Sequence, residues 1–266
     1  MNNTANAAAT ENEFQTKLPQ ITALFWLMKI SATTLGETGG DWLSMTMNVG
    51  YLRSTLIFFS IFVLALCVQL ISTAHRPFLY WTVIVATSTA GTTLSDYMDR
   101  TLQLGYTNGA AILVTILMTV LAAWKYFIGS LDVNNIRSRS AEIFCWITIL
   151  FSNTLGTAAG DFLADDSGLG FFGSWLLVTV ALLFLLTLHY FTKISKVFLF
   201  WMAFILTRPF GATFGDVLTK SPEKGGLDYG RGYASLILLS ILVLSIFISL
   251  RKNHDAVLKS KKKAAF

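Results

Sequence analysis

The sequence predicts an all-α integral membrane protein of eight transmembrane helices, arranged as four tandem parallel helical-hairpin repeats. Three observations predict it. The 266 residues are 54% hydrophobic and 13% charged, whereas a soluble domain carries roughly 25% charge. Eight stretches are long and apolar enough to span a bilayer, which takes about 20 such residues because hydrocarbon leaves backbone polar groups no outside partner. One motif recurs four times, once in every second stretch.

In order, the predicted spans are 19–40, 51–72, 77–97, 106–128, 141–162, 170–190, 197–218 and 231–250. Residues 1–18 are polar and lack the basic start and apolar core of a signal peptide. A first half follows over 19–128 (repeats 1 and 2), then a linker at 129–140, a second half over 141–250 (repeats 3 and 4) and a basic tail at 251–266. Cys67 and Cys145 both fall inside spans and are expected to stay unpaired.

Charge sets the expected orientation. Thirteen of the 20 Lys and Arg lie in the N-terminus, the C-tail and the connections that join even to odd helices. The opposite connections hold Arg53, Arg100, Lys220, Lys224 and Arg231 with ten of the 15 acids. Basic loops remain cytoplasmic. Both termini are therefore expected in the cytoplasm of a bacterial cell, with the protein in its inner membrane. The basic balance reflects topology and calls for no nucleic-acid partner; the bilayer is the expected one.

The repeat reads Trp, nine residues, Gly, three residues, Gly or Ser, then Asp. Its copies are Trp26–Gly36–Gly40–Asp41, Trp81–Gly91–Ser95–Asp96, Trp146–Gly156–Gly160–Asp161 and Trp201–Gly211–Gly215–Asp216. Nine residues after the Asp come Gly50-Tyr51, Gly105-Tyr106 and Gly170-Phe171. The fourth copy reaches Gly232-Tyr233 after seven extra residues. Each repeat holds an even number of spans, so the copies are parallel about an axis along the membrane normal.

Small residues four apart share a helix face and admit a neighbouring backbone, so Gly36/Gly40, Gly91/Ser95, Gly156/Gly160 and Gly211/Gly215 are expected packing faces. Thr33, Thr34, Ser88, Thr89, Asn153 and Thr154 beside them are expected to act mainly as hydrogen-bonding glue. The Trp lies fifteen residues before the Asp, about 22 Å lower at 1.5 Å per residue. It is expected as an interfacial anchor, with a constriction ring as the alternative. Each Asp either N-caps a following turn or meets headgroup water, or the four carboxylates surround an electronegative outer vestibule. Oxygen ligands suit hard ions such as Mn²⁺, Mg²⁺ or Ca²⁺. His75, His189 and His254 all lie on the other side, which disfavours zinc or copper.

Departures from the repeat mark the expected asymmetry of function. Copy one alone has Glu37, one turn before Asp41, and Lys29, where the other copies have Ile84, Ile149 and Phe204. Copy four has Arg208-Pro209, and Pro209 is expected to kink its helix. Ionisable residues inside a span are costly and face the bundle interior. Lys29 and Arg208 are therefore read as coupling or charge-compensating groups, with a structural ion pair to Glu37 as the alternative.

The G-x-x-x-G-D-x-L string of Gly36–Leu43, Gly156–Leu163 and Gly211–Leu218 resembles a bacterial family of small multipass "membrane-anchored" proteins of uncertain function. Glu37-Thr38-Gly39-Gly40-Asp41 is more loosely similar to the E-x-G-D motif of cation–proton exchangers for manganese or calcium. It is one residue longer, and it is followed by Trp42 and Leu43 where those proteins have basic and hydroxyl residues. That likeness implies divalent-cation export.

No nucleotide-binding glycine loop, H-E-x-x-H or G-x-S-x-G elbow occurs, and no cofactor is expected. The reading is a non-enzymatic membrane transporter that exports or exchanges a hard divalent cation such as manganese against protons. Asp41, Asp96, Asp161, Asp216 and Glu37 would ligate the ion. The alternatives are a structural or sensory scaffold with a polar core and an intramembrane enzyme. Transport predicts acids on an inner polar path; an enzyme predicts two carboxylates within about 6 Å in a closed pocket; a scaffold predicts Asp residues facing headgroups.

Overall fold

The computed structural model describes residues 21–72, 76–133, 136 and 138–264, with only the helical backbone described from 253 onward. The N-terminal segment 1–18 and the histidines His75 and His254 lie outside the described residues or side chains, as does most of the basic tail.

The described residues form eight long helices: α1 Ala23–Asp41, α2 Tyr51–Ile71, α3 Pro77–Asp96, α4 Gly105–Ile128, α5 Arg139–Asp161, α6 Gly170–Phe191, α7 Lys196–Thr219 and α8 Arg231–Ala264. No strand occurs among the described residues. Local chemistry sets the starts. Thr22, Ser138 and Ser195 accept hydrogen bonds from the first-turn amides of Phe25, Ala141 and Phe198, as N-caps do. Pro77 opens α3, where its missing N–H costs nothing. Contrary to the expectation of an Asp-capped turn, α1, α3 and α5 run straight through their motif Asp into one π turn. These turns span Trp42–Thr46, Tyr97–Thr101 and Phe162–Asp166, and no Asp side chain caps them.

The helices form two shells. α1, α3, α5 and α7 pack each against the next, and α7 packs against α1, closing a four-membered ring. The second helix of each repeat leaves its own partner and lies against the first helix of the following repeat: α2 on α3, α4 on α5, α6 on α7 and α8 on α1. Packing thus runs continuously across the linker that divides the chain in sequence.

Among the described residues six helices are long and apolar enough to cross a membrane: α2, α4, α5, α6, α7 and α8. In the four outer helices only 17–28% of the apolar window is buried, against 67% in α5 and 50% in α7. Their exposed faces are aliphatic and aromatic, for example Leu64, Leu183, Phe184 and Leu236. A surface of this kind meets lipid. The chain is accordingly a multipass membrane protein. α1 and α3 are not among the six because they carry the interior's polar side chains: Lys29, Thr33, Glu37 and Asp41 in α1, and Ser88, Thr92 and Asp96 in α3, all buried.

The glycine pairs close the ring. A Cβ on Gly36 would overlap Ser88, one on Gly91 would meet Asn153, one on Gly156 would overlap Arg208 and one on Gly211 would meet Thr33. Each glycine thus receives the same register position of the next helix around the ring. The second small residue does likewise, with Gly40 on Thr92, Gly160 on Ala212 and Gly215 on Glu37.

The fourth repeat aligns differently from its sequence reading. Positive φ recurs at Asn48 and Gly50, at Gln103 and Gly105, at Gly168 and Gly170, and then at Asp228 and Gly230. The counterpart of Gly50 is therefore Gly230 and not Gly232, and the insertion is five residues rather than seven. Arg231 consequently stands where Tyr51, Tyr106 and Phe171 stand in the other copies. Cys67 and Cys145 are both free.

Candidate functional site

Each inner helix presents one stripe at four-residue spacing, and the ring stacks the four stripes into layers. From the repeat Trp toward the Asp these are Lys29/Ile84/Ile149/Phe204, then Thr33/Ser88/Asn153/Arg208, then Glu37/Thr92/Thr157/Ala212, then Asp41/Asp96/Asp161/Asp216. All sixteen residues are buried. A four-residue step brings side chains onto one helix face.

Trp81, Trp146 and Trp201 are buried at the lower end rather than anchored at a lipid interface, and Trp26 is half-buried. Trp81 meets Phe25, Trp146 meets Tyr80, and Trp201 meets Trp124 while its indole N–H donates to the Leu131 carbonyl at 2.9 Å. With the Ile84/Ile149/Phe204 level they make an apolar plug.

Above the plug, Arg208 ties all four inner helices together. Its Nη1 donates to the Thr33 carbonyl and to Glu37 Oε2, both at 3.2 Å. Its Nη2 donates to the Ser88 carbonyl at 3.3 Å, to Thr157 Oγ1 at 2.7 Å and to Thr92 Oγ1. Of the two pairings open to Glu37, the fold makes the one with Arg208; Lys29 takes no part in it. The helix carrying Arg208 runs unbroken through Pro209, whose ring packs against Gly156. Most flanking hydroxyls bond to their own helix: Thr34, Thr89 and Thr154 donate to carbonyls four residues back. Asn153 reaches across to Thr87 Oγ1 at 2.9 Å.

At the level of the motif Asp residues each carboxylate has a basic partner. Asp41 pairs with Arg231 at 3.3 Å and Asp216 with Lys220 at 3.1 Å, while Arg100 holds Asp96 at 3.0 Å and Asp161 at 3.3 Å. The acids are buried, whereas the Arg100, Arg231 and Lys220 side chains are 30%, 25% and 17% exposed. Burial works against the Lys220 charge, but Asp216 and then Asp41 outweigh it and raise its pKa. Glu37, Asp41 and Asp216 each offer an oxygen within 4.8 Å of the others, a spacing that could hold a metal ion. Asp96 Oδ2 is buried and has no hydrogen-bond partner among the described residues.

Sequence reasoning missed the three counter-ions and the hydroxyls Thr92 and Thr157. Arg100 and Lys220 follow their Asp by four residues, a readable signal. Arg231 becomes readable only once Gly230 is aligned with Gly50. Asp99 was missed as well: it accepts from Ser95 Oγ at 3.2 Å, and its carboxylate sits where a Cβ on Gly109 would be.

This architecture defines a class: a multipass helical membrane protein with a buried polar axis, made of four copies of one two-helix unit. The chain belongs to the family described as Repeat of Unknown Function (DUF347), whose repeat matches residues 24–75, 79–128, 144–195 and 199–255. Each match begins two residues before a repeat Trp. No curated protein and no solved structure matches the chain.

Proposed function

We propose that the protein is a secondary transporter in a bacterial inner membrane, exporting or exchanging a hard divalent cation such as Mn²⁺ against protons. All eight helices cross the bilayer with both termini cytoplasmic, and α1 and α3 do so shielded by their neighbours. The observation that carries the reading is the meeting of Glu37, Asp41 and Asp216 oxygens within 4.8 Å, at the outer end of a polar axis. The motif Asp residues face the interior, as transport requires, and not the headgroups, as a simple scaffold would have it.

The seat is electrostatically balanced. Arg231 and Lys220 occupy the places a cation would take, and both are partly exposed, so each can swing outward when an ion arrives. Crowded carboxylates exchange protons for metal readily, since a bound cation offsets their repulsion. Carboxylates this near also fit an intramembrane hydrolase. Bases seated on the acids favour ion exchange, because they hold the carboxylates as counter-ions rather than leaving one free to attack or transfer a proton.

The test is flux. Purified protein in liposomes should take up Mn²⁺ and move protons the opposite way, reported by a lumenal pH dye. Asp41→Asn and Asp216→Asn should abolish both movements in protein that still inserts. Wild-type liposomes no leakier to Mn²⁺ than empty ones, under either direction of pH gradient, would overturn the reading.

A further inference from the structure

The cation seat leaves a second polar feature of the axis unused. Lys29 is fully buried, its Nζ has no hydrogen-bond partner among the described residues, and it lies 3.9 Å from the centroid of the Phe204 ring. The next layer of the axis, Thr33/Ser88/Asn153/Arg208, brings a second cation and no acid. Packing does not require a base here, since Ile84, Ile149 and Phe204 fill the same level in the other repeats.

Three buried polar atoms of the next layer have no hydrogen-bond partner among the described residues: Ser88 Oγ, Asn153 Oδ1 and Arg208 Nε. Buried polar groups are ordinarily satisfied, and an orphaned one points to a missing ligand. The unsatisfied set is mostly donors: an ammonium, a guanidinium N–H and a hydroxyl. Charge narrows the choice further. Glu37 neutralises Arg208, so these layers hold one uncompensated positive charge when Lys29 is an ammonium. A ring face attracts a cation but does not replace a counter-ion.

We propose that Lys29, with Ser88 and the free Nε of Arg208, forms a binding site for a small monovalent anion, a halide or a short monocarboxylate. The site goes beyond the cation reading and lies on the cytoplasmic side of the Arg208–Glu37 pair. One charge on the protein selects one charge on the ligand, and the apolar wall of Ile84, Ile149 and Phe204 favours an anion that sheds water easily.

The experiment measures the melting temperature of the purified protein in detergent with divalent metals chelated. Sodium chloride, nitrate and acetate are compared with gluconate at fixed ionic strength and pH. The melting temperature should rise and saturate with chloride, acetate or both, chloride alone marking a halide site and acetate alone a carboxylate site. Lys29→Met should lose the response, Lys29→Arg should keep it and Ser88→Ala should weaken it. Equal melting in all four salts, or a Lys29→Met protein that responds as the wild type does, would overturn the proposal. If Lys29→Met does not fold, saturable binding of radiolabelled chloride or acetate to the wild type, weakened in Ser88→Ala, decides it, and no saturable binding of either overturns it. No divalent metal enters the readout, so the result is independent of the cation reading.

Discussion

Gly156 of α5 and Arg208 of α7 share one small volume: a methyl group on Gly156 would overlap Cβ and Cγ of the arginine. The third repeat's glycine is thus the floor on which the fourth repeat's charge rests. Because Arg208 is wholly buried and bonded to three other helices, it has nowhere to retreat. Gly156→Leu is expected to destabilise the bundle by about 1–3 kcal/mol or more. Gly211→Leu, which would strike Thr33, should behave alike. Thermal unfolding in detergent checks both. Leu236→Phe on the exposed face of α8 is the mild control, and melting unchanged in both glycine variants would count against close packing.

Removing one member of the Arg208–Glu37 pair strands the other. A buried charge left alone costs about 3–5 kcal/mol, whereas replacing both partners with apolar groups is often tolerated. Glu37→Gln should therefore lower stability sharply, and Glu37→Gln combined with Arg208→Met should recover much of it. A double variant no more stable than the single one would mean that Arg208 draws its stability from Thr157, Thr92 and the carbonyls rather than from Glu37.

Much of this was legible in the sequence because the repeat is physical at every position. Apolar length and small-residue spacing are local properties, and they place seven of the helices to within a few residues; α8, expected over 231–250, runs on as helix to Ala264 through the basic tail. The destination of each second helix was not legible: α2 could equally have paired with α1, and only tertiary packing sends it to α3. The burial of Trp81 and Trp146 was hidden for the same reason, because a Trp near a helix end reads alike whether it faces lipid or the axis. Asp41 and Asp216 could be named from spacing, but that they meet Glu37, while Asp96 and Asp161 share Arg100, depends on which helices adjoin around the ring.

Asp99 supplies a pH signature outside the spans. Burial raises its pKa from 3.8 to about 6, against the Ser95 hydrogen bond and Arg100, which lower it. A raised acid favours the fold in its protonated form, so this contribution is present below the unfolded pKa and is lost as pH climbs through about 6. Asp99→Asn mimics the neutral acid. It should melt like the wild type near pH 4 and above it near about pH 7, the gap opening across the interval. A gap that is constant with pH would show that Asp99 does not titrate there.

The charge asymmetry of the connections predicts an orientation that can be tested directly. A reporter fused after Lys252 should be active only in its cytoplasmic form, and one inserted within Lys220–Arg231 only in its external form. α1 and α3 fall outside the six strongly apolar helices, so a reporter in the 42–50 turn is the informative third point. External there as well, it would place α1 across the membrane despite its polar face. A cytoplasmic reading at that turn would remove α1 from the spans.

The bases over the Asp layer give the most specific functional prediction. Arg231 stands where the other repeats carry Tyr51, Tyr106 and Phe171, and it pairs with Asp41 at 3.3 Å. If it is the ion that a metal displaces, then removing its charge removes a competitor. Arg231→Gln should bind Mn²⁺ several-fold more tightly than the wild type, while turnover falls because the arginine no longer returns to expel the ion. Asp41→Asn should remove binding, since Glu37 and Asp216 alone leave the seat one carboxylate short. Asp96→Asn, whose partner Arg100 still has Asp161, should be the milder change. The opposed movement of affinity and turnover in Arg231→Gln separates displacement from a merely structural ion pair, which would lower both. If Arg231→Gln and Asp41→Asn left Mn²⁺ affinity alike and unchanged by calorimetry, the bases would not compete with an ion and the seat would lie elsewhere.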